Sequence, residues 1–258
     1  MFLLEVDSIR RCFGGLVALD EVSFPVQEGQ IKGVIGPNGA GKTTLFHIVS
    51  GVLPPDEGEV RLHGRSITGM KPYRIAQLGV SRTFQSLSLF LNMSVIENVM
   101  VGRHCRTRQG WVSSALRLPM QQLEERAIRQ AALEQLERMG LSGVAHAPVG
   151  SLSFGQRRMV ELARALVTEP RLLLLDEPAS GLNTRETDEL AERIRKIRES
   201  GVTILLVEHD MSLVMEVCEE IVVLDFGKPI AEGSPAAIRS DPNVIAVYLG
   251  GEFDGAAS

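Results

Sequence analysis

The sequence has few cysteines, no excess of positive charge and no long hydrophobic run. Its three cysteines, Cys12, Cys105 and Cys218, are too scattered for a disulfide framework or a metal site, which fits a reducing compartment. The formal charge, 27 basic against 32 acidic residues, is −5 and disfavours nucleic acid as the main partner. The longest apolar runs, such as 172–175 and 203–207, are too short to cross a bilayer, and the first residues lack the features of a signal peptide. Any membrane role therefore has to come through a partner.

The 258 residues contain two kinds of pattern, which we assign to one domain spanning 1–258. Strand patterns alternate with helical ones over 1–85 and 168–258, whereas helical patterns dominate 86–167. We therefore predict an α/β core with an antiparallel β portion near the N-terminus and an inserted helical subdomain. The pattern at 121–139 predicts a helix with five apolar residues near one face: Leu123, Ile128, Ala132, Leu136 and Met139.

Two further segments carry weaker patterns. Near the start, Leu4, Val6 and Ser8 alternate with acidic residues, which predicts a strand with one buried face. Residues 103–119 form a basic stretch with the only tryptophan, Trp111, and without a nucleotide motif. We interpret Trp111 as local packing, with a membrane contact as the alternative.

The most informative stretch is a glycine-rich loop between a strand pattern and a helical pattern. It fits G-x-x-x-x-G-K-[ST] at every fixed position, in the strand–loop–helix context that this motif needs. Glycines let the backbone turn its N–H groups toward phosphate oxygens, and the lysine adds a full charge. The alternative is a glycine-rich turn with an incidental lysine. The predicted nucleotide-binding residues are Gly36, Pro37, Asn38, Gly39, Ala40, Gly41, Lys42, Thr43 and Thr44.

A strand pattern of four leucines, residues 172–175, ends in two carboxylates. In a P-loop protein such a strand lies beside the phosphate loop. Asp176 would then hold the hydration shell of Mg²⁺, and Glu177 would lie near the γ-phosphate with a water between them. Alone, two solvated acids at a strand end would be the better interpretation. The phosphate loop upstream favours the functional one.

A serine and a glycine precede the helical pattern at 157–167, within Leu152-Ser153-Phe154-Gly155-Gln156. Ser153 is a natural N-cap. A serine and a glycine at a helix N-terminus also form an anion site. The alternative is a plain helix cap.

In this order, the segments resemble the ATP-binding subunit of an ABC transporter, and the resemblance covers nearly the whole chain. Residues 36–43 match the Walker A motif, 152–156 resemble the signature L-S-G-G-Q, and 172–177 match Walker B with its catalytic glutamate. Three single residues complete the match as the adenine-stacking aromatic, the Q-loop glutamine and the switch histidine: Phe13, Gln85 and His209.

The resemblance implies a P-loop fold that binds ATP and Mg²⁺ at a site shared by two subunits. The implied catalytic residues are Glu177, His209 and Gln85. The implied Mg²⁺ ligands, direct or through water, are Thr43, Gln85 and Asp176. The implied contacts to the ATP of another subunit come from Ser153, Gly155 and Gln156.

Each single residue also has a structural interpretation. Phe13 could be a core aromatic, Gln85 a hydrogen-bonded amide at a strand end, and His209 a half-buried histidine. The chain also departs from the family pattern at two positions. Phe154 stands where many members have glycine, and Asn183 stands where many have aspartate, so the packing of Phe154 and any charge role of residue 183 are open.

A finer resemblance is to the branched-chain amino acid importers. It rests on residues 14–19 and 176–183 and on the tail at 230–235 and 247–250, while Arg82-Thr83-Phe84-Gln85 resembles the longer of that group's two ATPase subunits. It implies ATP-driven import through two membrane permease subunits, with an extracytoplasmic solute-binding protein acting indirectly. A urea, amide or other amino-acid importer is the alternative. An exporter, or a soluble ABC protein on ribosomes or DNA, is a more distant one.

The resemblance also implies where the subunit lies and what it contacts. It would sit peripherally on the cytoplasmic face of the membrane and bind no nucleic acid. The preferred partner is a second, different ATP-binding subunit, although a homodimer is possible. The apolar segment 86–98 would receive a short helix of a permease subunit, unless it only closes the core of the helical subdomain.

Overall fold

The computed structural model describes residues 1–83, 88–103 and 119–250. Gln85 and Trp111 therefore lie outside the described residues. The strands are β1 Phe2–Phe13, β2 Leu16–Gln27, β3 Ile31–Ile35, β4 Glu57–Leu62, β5 Arg65–Ser66, β6 Val80–Arg82, β7 Leu172–Asp176, β8 Thr203–Val207, β9 Glu220–Asp225 and β10 Lys228–Gly233. The helices are α1 Lys42–Val49, α2 Pro72–Gln77, α3 Val95–Arg103, α4 Pro119–Arg138, α5 Phe154–Leu166, α6 Thr184–Glu199, α7 Met211–Val217, α8 Pro235–Ser240 and α9 Pro242–Gly250.

An antiparallel sheet in the order β2-β1-β4-β5 forms the N-terminal portion, as predicted. The predicted alternation holds for Leu4 and Val6, which are buried, but it is wrong at Ser8. Ser8 has a left-handed φ of 50° and is exposed, and the pairing register shifts between Val6 and Ile9. This bulge places Ile9, rather than Ser8, in the core.

The central sheet has the order β10-β9-β3-β8-β7-β6, and only β10 runs antiparallel to its neighbour. Every residue of β3, β7 and β8 is buried. Such strands are covered on both faces, which explains why they are mostly apolar, with Lys32, Asp176 and Thr203 as the buried polar exceptions. Their carboxyl ends meet at one edge of the sheet, so the segments after residues 35, 176 and 207 lie near one another.

The two faces of the central sheet belong to different hydrophobic clusters. Leu173 and Leu175 pack with the helices α4 to α7, whereas Leu172 and Leu174 pack with α1 and the antiparallel sheet. Successive residues of a strand point to opposite faces, so the four consecutive leucines serve both clusters. The predicted fold class, an α/β P-loop core with an antiparallel portion and inserted helices, is confirmed.

Helices α3, α4 and α5 pack against one another on one face of the central sheet. The predicted apolar face is confirmed at Ala132 and Leu136 within α4 and at Met139 directly after it. Ile128 is half-buried, and the prediction is wrong at Leu123, which is 65% exposed. Residues 123–127 of α4 are exposed or only half-buried, which a helical period alone does not reveal. The predicted subdomain bounds, 86–167 within 1–258, stay a prediction. Among the described helices, none combines the length and hydrophobicity needed to span a membrane.

Candidate functional site

Residues 36–41 form the loop between β3 and α1, at the carboxyl edge of the central sheet. The loop needs glycine at both ends. A Cβ on Gly36 would lie 2.1 Å from the carbonyl oxygen of Leu224, and a Cβ on Gly41 would lie 2.5 Å from that of Ala18. Helix α1 begins at Lys42 directly after this turn. Its first amide groups have no partner within the helix and can therefore bind an anion.

The Lys42 side chain is buried and folds back over the loop. Its Nζ donates to the carbonyl oxygens of Gly36 at 2.6 Å and Pro37 at 2.9 Å. Burial lowers the pKa of Lys42, while the carboxylates of Glu177 and Asp176 oppose that effect. A phosphate beside the ammonium group would replace neutral carbonyl contacts with a charged one, which forms a stronger hydrogen bond.

A cavity of about 320 Å³ lies over the loop. Phe13 lines one part of it and is 46% exposed, so its ring is not a core aromatic. The Arg11 guanidinium lies 5.0 Å from the centre of that ring. The remaining lining residues come from β2, the loop, α1, the end of β7 and the β9–β10 turn: Leu16, Val17, Ala18, Asn38, Gly39, Ala40, Gly41, Lys42, Thr43, Thr44, Glu177 and Phe226.

The two carboxylates at the end of β7 have different surroundings. Asp176 is buried, and its Oδ2 accepts a hydrogen bond of 2.7 Å from Nη2 of Arg82. The Glu177 side chain reaches the cavity, and its backbone has a left-handed φ of 46°. The Glu177 amide donates to Val207 O at 2.9 Å, which fixes this strained residue to the end of β8. Strain of this kind is common at functional sites.

His209 follows β8 and has an exposed side chain. Its Nδ1 lies 3.9 Å from Oε2 of Glu177 and 3.7 Å from Oε2 of Glu208. His209 is therefore beside the cavity, close to Glu177, although it does not line the cavity itself. Gln85 lies outside the described residues, so its predicted position stays a prediction.

Glu208 is a residue of this region that the sequence reasoning missed. Its buried carboxylate accepts backbone hydrogen bonds from Ala179 at 2.7 Å, His209 at 2.9 Å and Asp210 at 3.1 Å. Burial raises the pKa of Glu208, and these amide groups oppose the shift. Glu208 thus joins the turn after Glu177 to the segment that carries His209. An acidic residue directly after the apolar run 204–207 was the available signal.

Residues 153–156 begin α5 through a capping box, which confirms Ser153 as the N-cap. Ser153 Oγ accepts from the Gln156 amide at 3.2 Å, and Gln156 Oε1 accepts from the Ser153 amide at 3.1 Å. Gly155 packs closely against the Glu186 side chain, because a Cβ there would lie 2.5 Å from Oε1 of Glu186. None of the predicted residues Ser153, Gly155 and Gln156 lines the cavity over the phosphate loop.

The two departures from the family pattern have visible packing. Phe154 lies against Gly181, where an added Cβ would be 3.0 Å from Cε1 of the ring. Asn183 caps α6, and its side chain accepts from the Glu186 amide at 3.0 Å. Residue 183 is thus a helix cap in this chain, a role that an amide fulfils without charge.

The fold and the cavity together define a P-loop nucleotide-binding protein. Residues 19–180 match the family described as ABC transporter, and residues 228–254 match the one described as branched-chain amino acid ATP-binding cassette transporter. The chain therefore belongs to the ABC transporter family. It is an ATP-binding subunit whose enzymatic activity is ATP hydrolysis coupled to transport.

Individual relatives agree with this assignment. The high-affinity branched-chain amino acid transport ATP-binding protein BraF of Pseudomonas aeruginosa is 44% identical, over 96% of this chain and 98% of the relative. The corresponding protein LivG of Salmonella typhimurium is 43% identical with the same coverage. A crystal structure of a nucleotide-free ATP-binding cassette from an ABC transporter superposes with a TM-score of 0.84 at 31% identity, covering 96% of this chain and 99% of the other.

Proposed function

We propose that this chain powers the import of branched-chain amino acids through separate membrane permease subunits. The observation that carries the ATPase part is the single cavity in which an exposed aromatic ring, a buried lysine and a strained glutamate meet. The substrate class rests on the names of relatives at 43–44% identity and on the match of residues 228–254. A urea, amide or other amino-acid importer is the alternative.

ATP would lie along the cavity, with its base on Phe13 and its phosphates on the loop. The loop and the start of α1 supply backbone N–H groups, and Lys42 exchanges its carbonyl contacts for the β- and γ-phosphates. The residues proposed to contact the phosphates and their surroundings are Gly36, Pro37, Asn38, Gly39, Ala40, Gly41, Lys42, Thr43 and Thr44.

We propose that Mg²⁺ accompanies ATP and is held by Thr43, Asp176 and Gln85. The oxygen donors of Thr43 and Asp176 suit this cation, and Thr43 faces the cavity. Among the described residues no cluster of three acidic, histidine or cysteine side chains could hold a metal ion, which fits a cation bound mainly through nucleotide phosphates. When bound, Mg²⁺ would neutralise charge on the phosphates.

Glu177 is the proposed general base for the attacking water. Its position in the cavity lets the carboxylate face the end of the nucleotide that Lys42 holds. His209, 3.9 Å from Glu177, would stabilise charge on the γ-phosphate as it transfers, and Gln85 would position metal and water. The Glu208 carboxylate would position His209 by holding the backbone of this segment.

A second ATP-binding subunit would complete the site. Ser153, Gly155 and Gln156 lie away from the cavity of their own chain, so they are proposed to contact ATP held by the partner. We prefer a different subunit as that partner, although a homodimer is possible. In the proposed division, residues 86–167 form the helical subdomain that carries this second surface, and 1–85 with 168–258 form the core.

The membrane subunits would dock on a groove of about 430 Å³ between the core and the helices. Phe90 lines this groove and is 53% exposed, whereas Leu89 packs against the main core. Two permease subunits, with an extracytoplasmic binding protein acting indirectly, would hold the ATPase at the cytoplasmic face of the membrane. Nucleic acid is not a proposed partner. Other groove residues are Val52, Pro72, Ile75, Val80, Val101 and Ala165.

Reconstitution tests this proposal. The chain would be purified with the membrane subunits that copurify with it, placed in vesicles, and assayed for ATP-dependent uptake of labelled leucine, isoleucine and valine. A complex carrying Glu177→Gln provides the inactive control. Uptake of urea or amides without branched-chain amino acids would correct the substrate class. Copurification with ribosomes or DNA, and with no membrane protein, would reject transport altogether.

A further inference from the structure

A tight turn of two residues, Phe226 and Gly227, joins β9 to β10, and Asp225 pairs directly with Lys228. Both turn residues have left-handed backbones, with φ of 43° at Phe226 and 80° at Gly227. Hairpin turns of this kind favour Asn-Gly or Asp-Gly, because asparagine and aspartate tolerate positive φ. A phenylalanine in the first position is strained.

The phenylalanine is also poorly buried. Its side chain is 86% exposed, the largest exposed fraction among the described aromatic residues. Packing within this chain therefore does not offset the backbone strain. An outlier that combines strain with an exposed aromatic ring points to a role in binding.

The turn is hydrogen-bonded both to the phosphate loop and to β2. The Gly227 amide donates to Ala40 O at 3.2 Å, and Gly227 O accepts from the Asp20 amide at 2.8 Å. Lys228 Nζ lies 3.2 Å from Oδ2 of Asp20. These contacts hold Phe226 at a set position beside Ala40. Its ring lines the same cavity of about 320 Å³ as Phe13.

We propose that Phe226 supplies a second aromatic surface for the base and ribose of the bound nucleotide, in addition to Phe13. The inference rests on the proposed use of this cavity as the ATP site. The rings would contact the nucleoside end, while the loop and Lys42 bind the triphosphate end. Stacking contacts the face of a ring rather than its edge groups, so the surface favours large purine rings without separating ATP from GTP.

The alternative is that Phe226 contacts the second ATP-binding subunit. In that case, removal of the ring would not change nucleotide binding by the isolated chain. Calorimetric titration of the purified full-length chain separates the two. ATP and inorganic tripolyphosphate are the two titrants, both without divalent cations so that no hydrolysis occurs. Only ATP carries a base and a ribose, so only ATP can detect an aromatic contact.

The variants separate the ring from the turn. Phe226→Ala removes the ring, Phe226→Asn removes the ring and also relieves the strained turn, and Phe226→Tyr keeps an aromatic surface. Phe2 is another exposed phenylalanine, at the start of β1, and Phe2→Ala is the matched control. Lys42→Ala tests the cavity itself and should weaken both titrants.

We expect Phe226→Ala and Phe226→Asn each to weaken ATP binding about fivefold or more, the lower end of the range for losing one base stack. Tripolyphosphate binding should stay unchanged, and the tyrosine and Phe2 variants should bind ATP normally. Unchanged ATP affinity in the alanine and asparagine variants overturns the inference in favour of the partner subunit. Equal losses for both titrants overturn it in favour of a loop effect. Normal binding by Lys42→Ala rejects the proposed ATP site itself, and the inference with it.

Discussion

Two regions of the molecule differ in how their predicted site residues are arranged. The first, the nucleotide edge, is the edge of the central sheet that carries residues 36–44 and 177. The second, the helical side, is formed by residues 88–103 and 119–166. At the nucleotide edge, side chains from distant segments of the chain converge on one cavity. On the helical side, Ser153 and Gln156 are hydrogen-bonded to each other at the start of one helix. Both residues are exposed and lie away from that cavity. One region is a formed pocket within the chain, whereas the other is an exposed helix start that we propose to act on the nucleotide of a second subunit.

The largest effect is expected for Glu177→Gln, at the nucleotide edge. The amide keeps the shape of the side chain but cannot act as a carboxylate base, so turnover should fall by roughly 10²- to 10⁴-fold while ATP still binds. The measurements are phosphate release by the assembled complex and ATP affinity of the subunit. Normal phosphate release would remove Glu177 from the chemistry.

Lys42→Ala should weaken ATP binding itself, by about 1.5–3 kcal/mol, because it removes a charged hydrogen-bond donor to the phosphates. Titration of the isolated subunit gives the affinity. Lys196→Ala, an exposed lysine on α6, is the charge-matched control. If the native chain and both variants bound ATP with equal affinity, the cavity would not hold the phosphates.

On the helical side, Phe90→Asp should separate the subunit from its membrane partners without unfolding it. Phe90 is exposed in the groove, and a charge there opposes the docking of an apolar helix, so we expect at least about a tenfold loss of binding, the 1.4 kcal/mol or more that an apolar contact supplies. Phe2→Asp, at an exposed phenylalanine outside both the groove lining and segment 86–98, is the control. The readout is copurification with the permease subunits, alongside ATP binding. If the Phe90→Asp variant copurified with the permease subunits as well as the native chain does, this groove would be excluded as the docking site.

Ser153→Ala sharpens the comparison between a helix cap and a binding surface. Loss of the cap should lower the free energy of unfolding by about 1 kcal/mol, and turnover of the assembled complex should fall while the isolated subunit binds ATP normally. Ser234→Ala removes another N-cap, that of α8, and should cost stability without slowing turnover. If both variants turned over ATP equally, Ser153 would be a cap alone.

The smallest expected effect is a change in the pH dependence of stability in Glu208→Gln. Burial raises the folded-state pKa of Glu208 above 4.5, so its protonated form stabilises the fold below that pH, and this contribution is lost as pH rises through the raised pKa. The glutamine stays neutral. The stability of Glu208→Gln relative to the native chain, measured by urea unfolding, should therefore improve as the pH rises above 4.5. Glu192→Gln, on the exposed face of α6, should show no such trend.

Local chemistry explains which features could be predicted. The phosphate loop, the leucine strand β7 and the Ser153 cap each depend on neighbours within a few residues, and the structure has each element at its predicted place. The predicted burial of Leu123 was wrong because burial along α4 depends on which helices cover it. The predicted alternation failed at Ser8 because a bulge interrupts the period of two. The catalytic and binding roles remain proposals.

The sequence by itself determined the order of motifs and the classes of chemistry they support, because glycine, lysine and carboxylate have intrinsic conformational and charge properties. The tertiary structure alone decided which distant residues share a site. Phe226 meets the nucleotide cavity only because β9 lies beside β3, and Glu208 joins two loops only because β8 lies beside β7. Sheet order arises from packing of whole strands, so no short stretch of sequence contains it.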